Sequence, residues 1–117
     1  MRHGAPLLLL SAMASLSAAV LAQGAGDPEA AQVARGRALY AKRCAVCHGR
    51  DFEGVEEAPA LVGARFEAKW RGRQPNLYIK IKFSMPQDDP GTLSPGEAAD
   101  LFTVILAANR MPAAPKL

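Results

Sequence analysis

Apolar residues in this chain form one long opening run and then short groups at helical spacing. Ala5 to Val20 is mostly Leu, Ala and Ser, preceded by the basic start Met1-Arg2-His3 and followed by the small residues of Val20-Leu21-Ala22. A charged start, an apolar stretch and a small-residue cleavage site make a secretory signal peptide. Residues 1–22 are therefore expected to be removed on export to the periplasm, leaving residues 23–117 as one domain. The alternative, an anchor retained in the membrane, is disfavoured because the run is short for a span and is broken by Pro6 and several serines. No cysteine lies at the expected new N-terminus to carry a lipid.

Downstream the pattern predicts helices. Asp27-Pro28 reads as an N-cap and first helical position, opening a helix through Ala30, Val33, Gly36 and Tyr40 toward Cys44. Gly36 inside it costs about 1 kcal/mol relative to Ala, which close approach of another helix would offset; a tolerated surface glycine is the alternative. Ser94-Pro95-Gly96-Glu97 is a capping box, after which Ala98, Leu101, Phe102, Ile105 and Leu106 share one face. This last helix is expected to pack across the first and to end near Asn109 and Pro112.

Between these helices the pattern weakens. Gly49 to Ala60, polar and holding Gly54 and Pro59, reads as loop, and Phe66 to Trp70 as a short helix. Leu77, Ile79, Ile81 and Phe83 alternate with Tyr78, Lys80 and Lys82 as a strand would, yet Pro75 and the pair Leu77 and Ile81 fit a helix. A lone strand has no partner elsewhere, so the helix is preferred. The fold class expected is all-α. A domain this small buries a modest share of its surface and gains from a covalent staple.

Composition changes the picture little, because the net charge of +3 is small. Its distribution says more: Arg65, Lys69, Arg71, Arg73, Lys80 and Lys82 face a single acid, Glu67, in the same stretch. A solvated helical face and a docking patch for an acidic redox partner both fit. Nucleic-acid binding is not expected, since the stretch holds no recognisable binding motif and the chain carries an export signal.

Cys44-Ala45-Val46-Cys47-His48 carries the chemistry. Two thiols three apart on a helical turn can reach the two vinyl groups of one porphyrin, and the adjacent imidazole can bind its iron. A zinc site would need a fourth ligand, and the only other His or Cys is His3, inside the signal segment. A thioredoxin-like pair would sit beside a βαβ pattern that this chain does not show. A disulfide across so short a loop would stabilise little. Covalent attachment of one haem c is the reading that uses all three side chains.

The opposite face of such an iron needs a ligand, and with the signal segment removed no second His exists. Met85 and Met111 remain. Met85 sits in Ser84-Met85-Pro86, where proline restricts the loop; Met111 lies beyond the last helix, where chains are loosely held. Met85 is the expected ligand. His and Met together raise the reduction potential and close the iron to substrate, which suits electron transfer rather than catalysis. An exchangeable Met, as in a haem sensor or a peroxidase-like protein, is the remaining alternative.

With these residues in hand the chain resembles the class I monohaem cytochromes c. Gly36, Leu39-Tyr40, Cys44 to Gly49, Gly54, Pro59-Ala60-Leu61, Gly63, Phe66, Trp70 and Met85-Pro86 follow that family's order, and Pro90 to Ser94 and Ala108-Asn109 extend it. Within the class it is most similar to small periplasmic cytochromes and haem domains serving quinoprotein dehydrogenases. The resemblance implies terminal helices crossing around one haem c, with His48 proximal and Met85 distal. It also implies that the Pro59 carbonyl accepts a hydrogen bond from the His48 ring and that Trp70 lies near a propionate. Its functional implication is a one-electron carrier between a dehydrogenase and an acceptor such as an oxidase, either free or as a dedicated haem subunit of a dehydrogenase complex. One position departs from the family: Val104 stands where an aromatic residue is usual, which puts the aromatic contact between terminal helices in doubt.

Overall fold

Five helices are laid down in chain order in the computed structural model, which describes residues 26–112 and the isolated Gly4. They are α1 (Pro28–Arg43), α2 (Ala45–His48), α3 (Ala64–Trp70), α4 (Gln74–Ser84) and α5 (Pro95–Ala108). The fold is all-α, and among the described residues the only β pairing is an isolated bridge between Val55 and Ala58. Apart from Gly4, the expected signal segment and its cleavage site lie outside the described residues. Among those that are described, no helix is long and apolar enough to cross a membrane.

The helix starts follow from their caps. Asp27 accepts a hydrogen bond from the Glu29 amide at 3.0 Å and Ser94 Oγ from the Glu97 amide at 3.1 Å, each with proline at the next position. These side chains satisfy amides that have no partner within the helix. α5 then buries Ala98, Leu101, Val104, Ile105 and Leu106.

The crossing of α1 and α5 depends on Gly36. A Cβ there would run into the Asp100 carbonyl oxygen and come within 2.9 Å of the Val104 Cβ, so the glycine lets the two backbones touch. Arg35 adds an ion pair with Asp100, at 3.1 Å from Nε to Oδ2. Val104, 1% exposed, thus takes a place at the crossing itself. The aromatic contact arises elsewhere: Phe102 meets Tyr78 of α4 edge-on, ring centroids 5.8 Å apart.

The ambiguous stretch Leu77 to Phe83 is helix, within α4. Leu77 and Ile81 are buried, whereas Ile79 and Phe83 are 54% and 63% exposed. The strand-like alternation therefore reflects a helix that is apolar on two faces.

Beyond the last helix, Asn109 joins α5 to the loop before α3. Its side-chain amide donates to the Leu61 carbonyl at 2.8 Å and the Ile105 carbonyl at 2.9 Å, while its oxygen accepts from the Gly63 amide at 3.2 Å. Met111 is buried in the core cluster.

Candidate cofactor cavity

All five helices surround one cavity of about 1100 Å³, at the upper end of the usual size for ligand sites. Cys44, Cys47, His48, Pro59, Trp70 and Met85 all line it. The fold thus brings together every site residue expected from the sequence, from four separate segments. Met111, the rival to Met85, is not in the lining.

One wall is the turn that carries the two thiols. Cys44 caps α2, and bonds from the Cys47 and His48 amides to the Cys44 carbonyl, at 3.1 and 2.9 Å, wind it into a single helical turn. The thiols are free, Cys44 half-buried and Cys47 exposed. Burial pushes the Cys44 thiol up to about 11, with Cys47 adding to the rise and Arg43 opposing it. Before haem attachment it is therefore a neutral thiol at neutral pH.

His48 is held by the loop that follows. Its Nδ1 lies 2.8 Å from the Pro59 carbonyl oxygen, an atom that can only accept, so Nδ1 carries the proton. The lone pair is left on Nε2, the state an imidazole needs to bind a metal. That loop is shaped by Gly54, at φ +81, where a Cβ would come within 3.0 Å of the Ala60 amide, the Ala58 oxygen and the Pro59 carbonyl carbon. The Gly54 amide bonds the His48 carbonyl at 2.6 Å and the Leu61 amide bonds the Phe52 carbonyl at 2.8 Å.

Tyr40 supports the turn from below. Its hydroxyl donates to the Gly49 carbonyl at 2.6 Å, and its ring lies 4.2 Å from that of Phe52. Burial raises the phenol well above its ordinary value, with smaller contributions from Cys44, Glu53 and Asp51, so it remains a donor. This contact joins residues nine apart across the helical attachment turn, and no local pattern announces it.

The chemistry of the cavity fits a haem. Its middle is apolar, with Phe66, Leu77, Ile81, Leu101 and Ile105, its thiol wall matches vinyl groups, and the basic side chains of Arg43, Arg65, Lys69 and Lys80 border it, where carboxylates would be received. Trp70 also lines the cavity, beneath the Lys69 ammonium, which sits 5.0 Å from its ring centroid.

An all-α fold wrapped around a cavity with a Cys-x-x-Cys-His turn defines a c-type cytochrome. The chain belongs to the family described as cytochrome c oxidase, cbb3-type, subunit III, which matches residues 31–104. It is an electron-transfer protein carrying one covalently bound haem c. Among solved structures it is similar to a chain of the sulfane dehydrogenase SoxCD from Paracoccus pantotrophus, with 28% identity and a TM-score of 0.60. That match covers 69% of this chain and 45% of the other, so this chain spans about half the length of its structural relative. No curated protein matches the sequence.

Proposed function

We propose that this cytochrome is a periplasmic one-electron carrier whose haem iron is bound by His48 and Met85, taking electrons from a dehydrogenase and passing them to an acceptor such as an oxidase. The observation that carries this reading is the juxtaposition of the two side chains on one cavity, with His48 already in the tautomer that frees Nε2. Cys44 and Cys47 supply the two thioether links. Pro59 fixes the imidazole orientation, as hydrogen-bond partners of metal-binding histidines do, and Trp70 with Lys69 and Arg65 receives the propionates. When bound, the haem supplies the one-electron chemistry of its iron. The protein's part is to hold that iron with a high-potential ligand pair and to leave no open coordination site for substrate. Residues 1–22 direct export and are removed.

The ligand assignment is tested by Met85→Ala, which is expected to abolish the weak long-wavelength iron–sulfur charge-transfer band and lower the reduction potential. Loss of the band in Met111→Ala instead would show that the assignment is wrong.

A dedicated subunit of a dehydrogenase complex is the second reading, favoured by the similarity to a chain of a sulfane dehydrogenase. Purification without added salt separates the two: a stoichiometric complex supports the subunit, a monomer that exchanges electrons with several proteins supports the shuttle.

A further inference from the structure

We propose that Arg43 and Thr92 form a tether that holds the loop carrying Met85 against the haem-attachment turn and so sets how firmly the Met85 thioether stays in place. This rests on the reading of Met85 as an iron ligand. The two residues join the attachment turn to the loop from Met85 to Leu93, both of which contribute residues to the cavity lining. Arg43 is the last residue of α1, immediately before Cys44, and lines the cavity. Thr92 lies seven residues after Met85, on the connection between α4 and α5. Arg43 Nη2 donates to Thr92 Oγ1 at 2.9 Å, and the same hydroxyl donates to the Asp89 carbonyl at 2.8 Å.

The loop has few other ties. Its first turn is closed by the Asp89 amide on the Pro86 carbonyl at 3.0 Å, and its far end is pinned by Leu93, 2% exposed. Gln87 to Thr92 are exposed. Among the described residues, the Arg43–Thr92 bond is the only side-chain hydrogen bond from this loop to α1 or α2. The Thr92 hydroxyl is used twice, as acceptor and as donor, so the guanidinium is linked through it to the Pro86–Asp89 turn next to Met85. Valine at position 92 removes both bonds at similar volume, while serine keeps both. Arg43 and Thr92 are positioning residues: neither reaches the iron, and both act on the loop that presents Met85.

The tether is read by competition. Imidazole added to the ferric holoprotein displaces a distal methionine, and its apparent affinity reports how readily Met85 leaves. Thr92→Val is expected to tighten imidazole binding about two- to ten-fold, the worth of a typical hydrogen bond, with unchanged far-UV circular dichroism. Arg43→Leu should do the same, the double variant should bind no more tightly than the tighter single one, and Thr92→Ser should match the parent. Thr92→Val carries the decisive weight, because it leaves the cavity charge and the attachment motif intact. Unchanged imidazole affinity in Thr92→Val, in a protein where Met85→Ala does tighten imidazole binding, overturns the tether and leaves the ligand reading standing. If Met85→Ala changes neither the affinity nor the charge-transfer band, it is the ligand reading that fails.

Discussion

Tyr40 shows how much of this site depends on one side chain outside the cavity lining. The phenol bonds the carbonyl of Gly49, the residue directly after His48, from a position 3% exposed. A burial-raised phenol binds its proton more tightly folded than unfolded. Stability from this group is therefore complete below the unfolded value of about 10 and is lost as pH rises past it toward the folded value, at up to about 1.4 kcal/mol per pH unit. Denaturant titrations of the holoprotein should show the parent losing stability above pH ~10 more steeply than Tyr40→Phe. At neutral pH the variant should be the weaker of the two by about 0.5–1.5 kcal/mol, the value of the missing bond. Equal slopes in alkaline solution would mean that the phenolate is tolerated in place.

α4 is where sequence pattern and structure diverge most usefully. Leu77 and Ile81 wall the cavity while Ile79 and Phe83, one helical turn apart, face outward. Ile81→Ala should cost about 2–5 kcal/mol in chemical unfolding, as cavity-forming truncations do, whereas Phe83→Ser should stay within about 0.5 kcal/mol. A comparable loss from both would mean that the outward face is packed in solution. The same helix explains what could be read in advance. The caps at Asp27 and Ser94, the Cys44 to His48 turn and the proline after Met85 are local signals, each fixed by residues within four positions, and each was legible. Val104 at the helix crossing, the Asn109 link to Leu61 and Gly63, and the Arg43–Thr92 bond join residues tens of positions apart. Nothing in the local pattern distinguishes them from ordinary surface or cap residues, because their partners are set by packing. Gly36 lies between: its cost inside a helix was visible, and the Asp100 and Val104 backbone and side chain that make it necessary were not.

At the scale of the molecule, charge decides how such a protein meets others. Arg43, Arg65, Lys69 and Lys80 border the cavity, and Arg71, Arg73 and Lys82 continue the basic stretch. Only Arg71 among these is paired with an acid among the described residues, with Glu67 at 3.2 Å. Arg43, Arg73, Lys80 and Lys82 have neither an acidic partner among the described residues nor a propionate assigned to them, so their field extends into solvent and would steer an acidic partner toward the cavity edge. Long-range steering is screened within about 8 Å at physiological salt, which gives the docking patch a signature that a merely solvated face lacks. Reversing Lys80 and Lys82 to Glu should slow electron exchange with an acidic redox protein several-fold at low ionic strength, and the gap should close as salt is raised. Stopped-flow rates across a salt series measure this directly. Rates that match the parent at every ionic strength would leave the basic stretch as a solvated face and move the site of partner contact elsewhere.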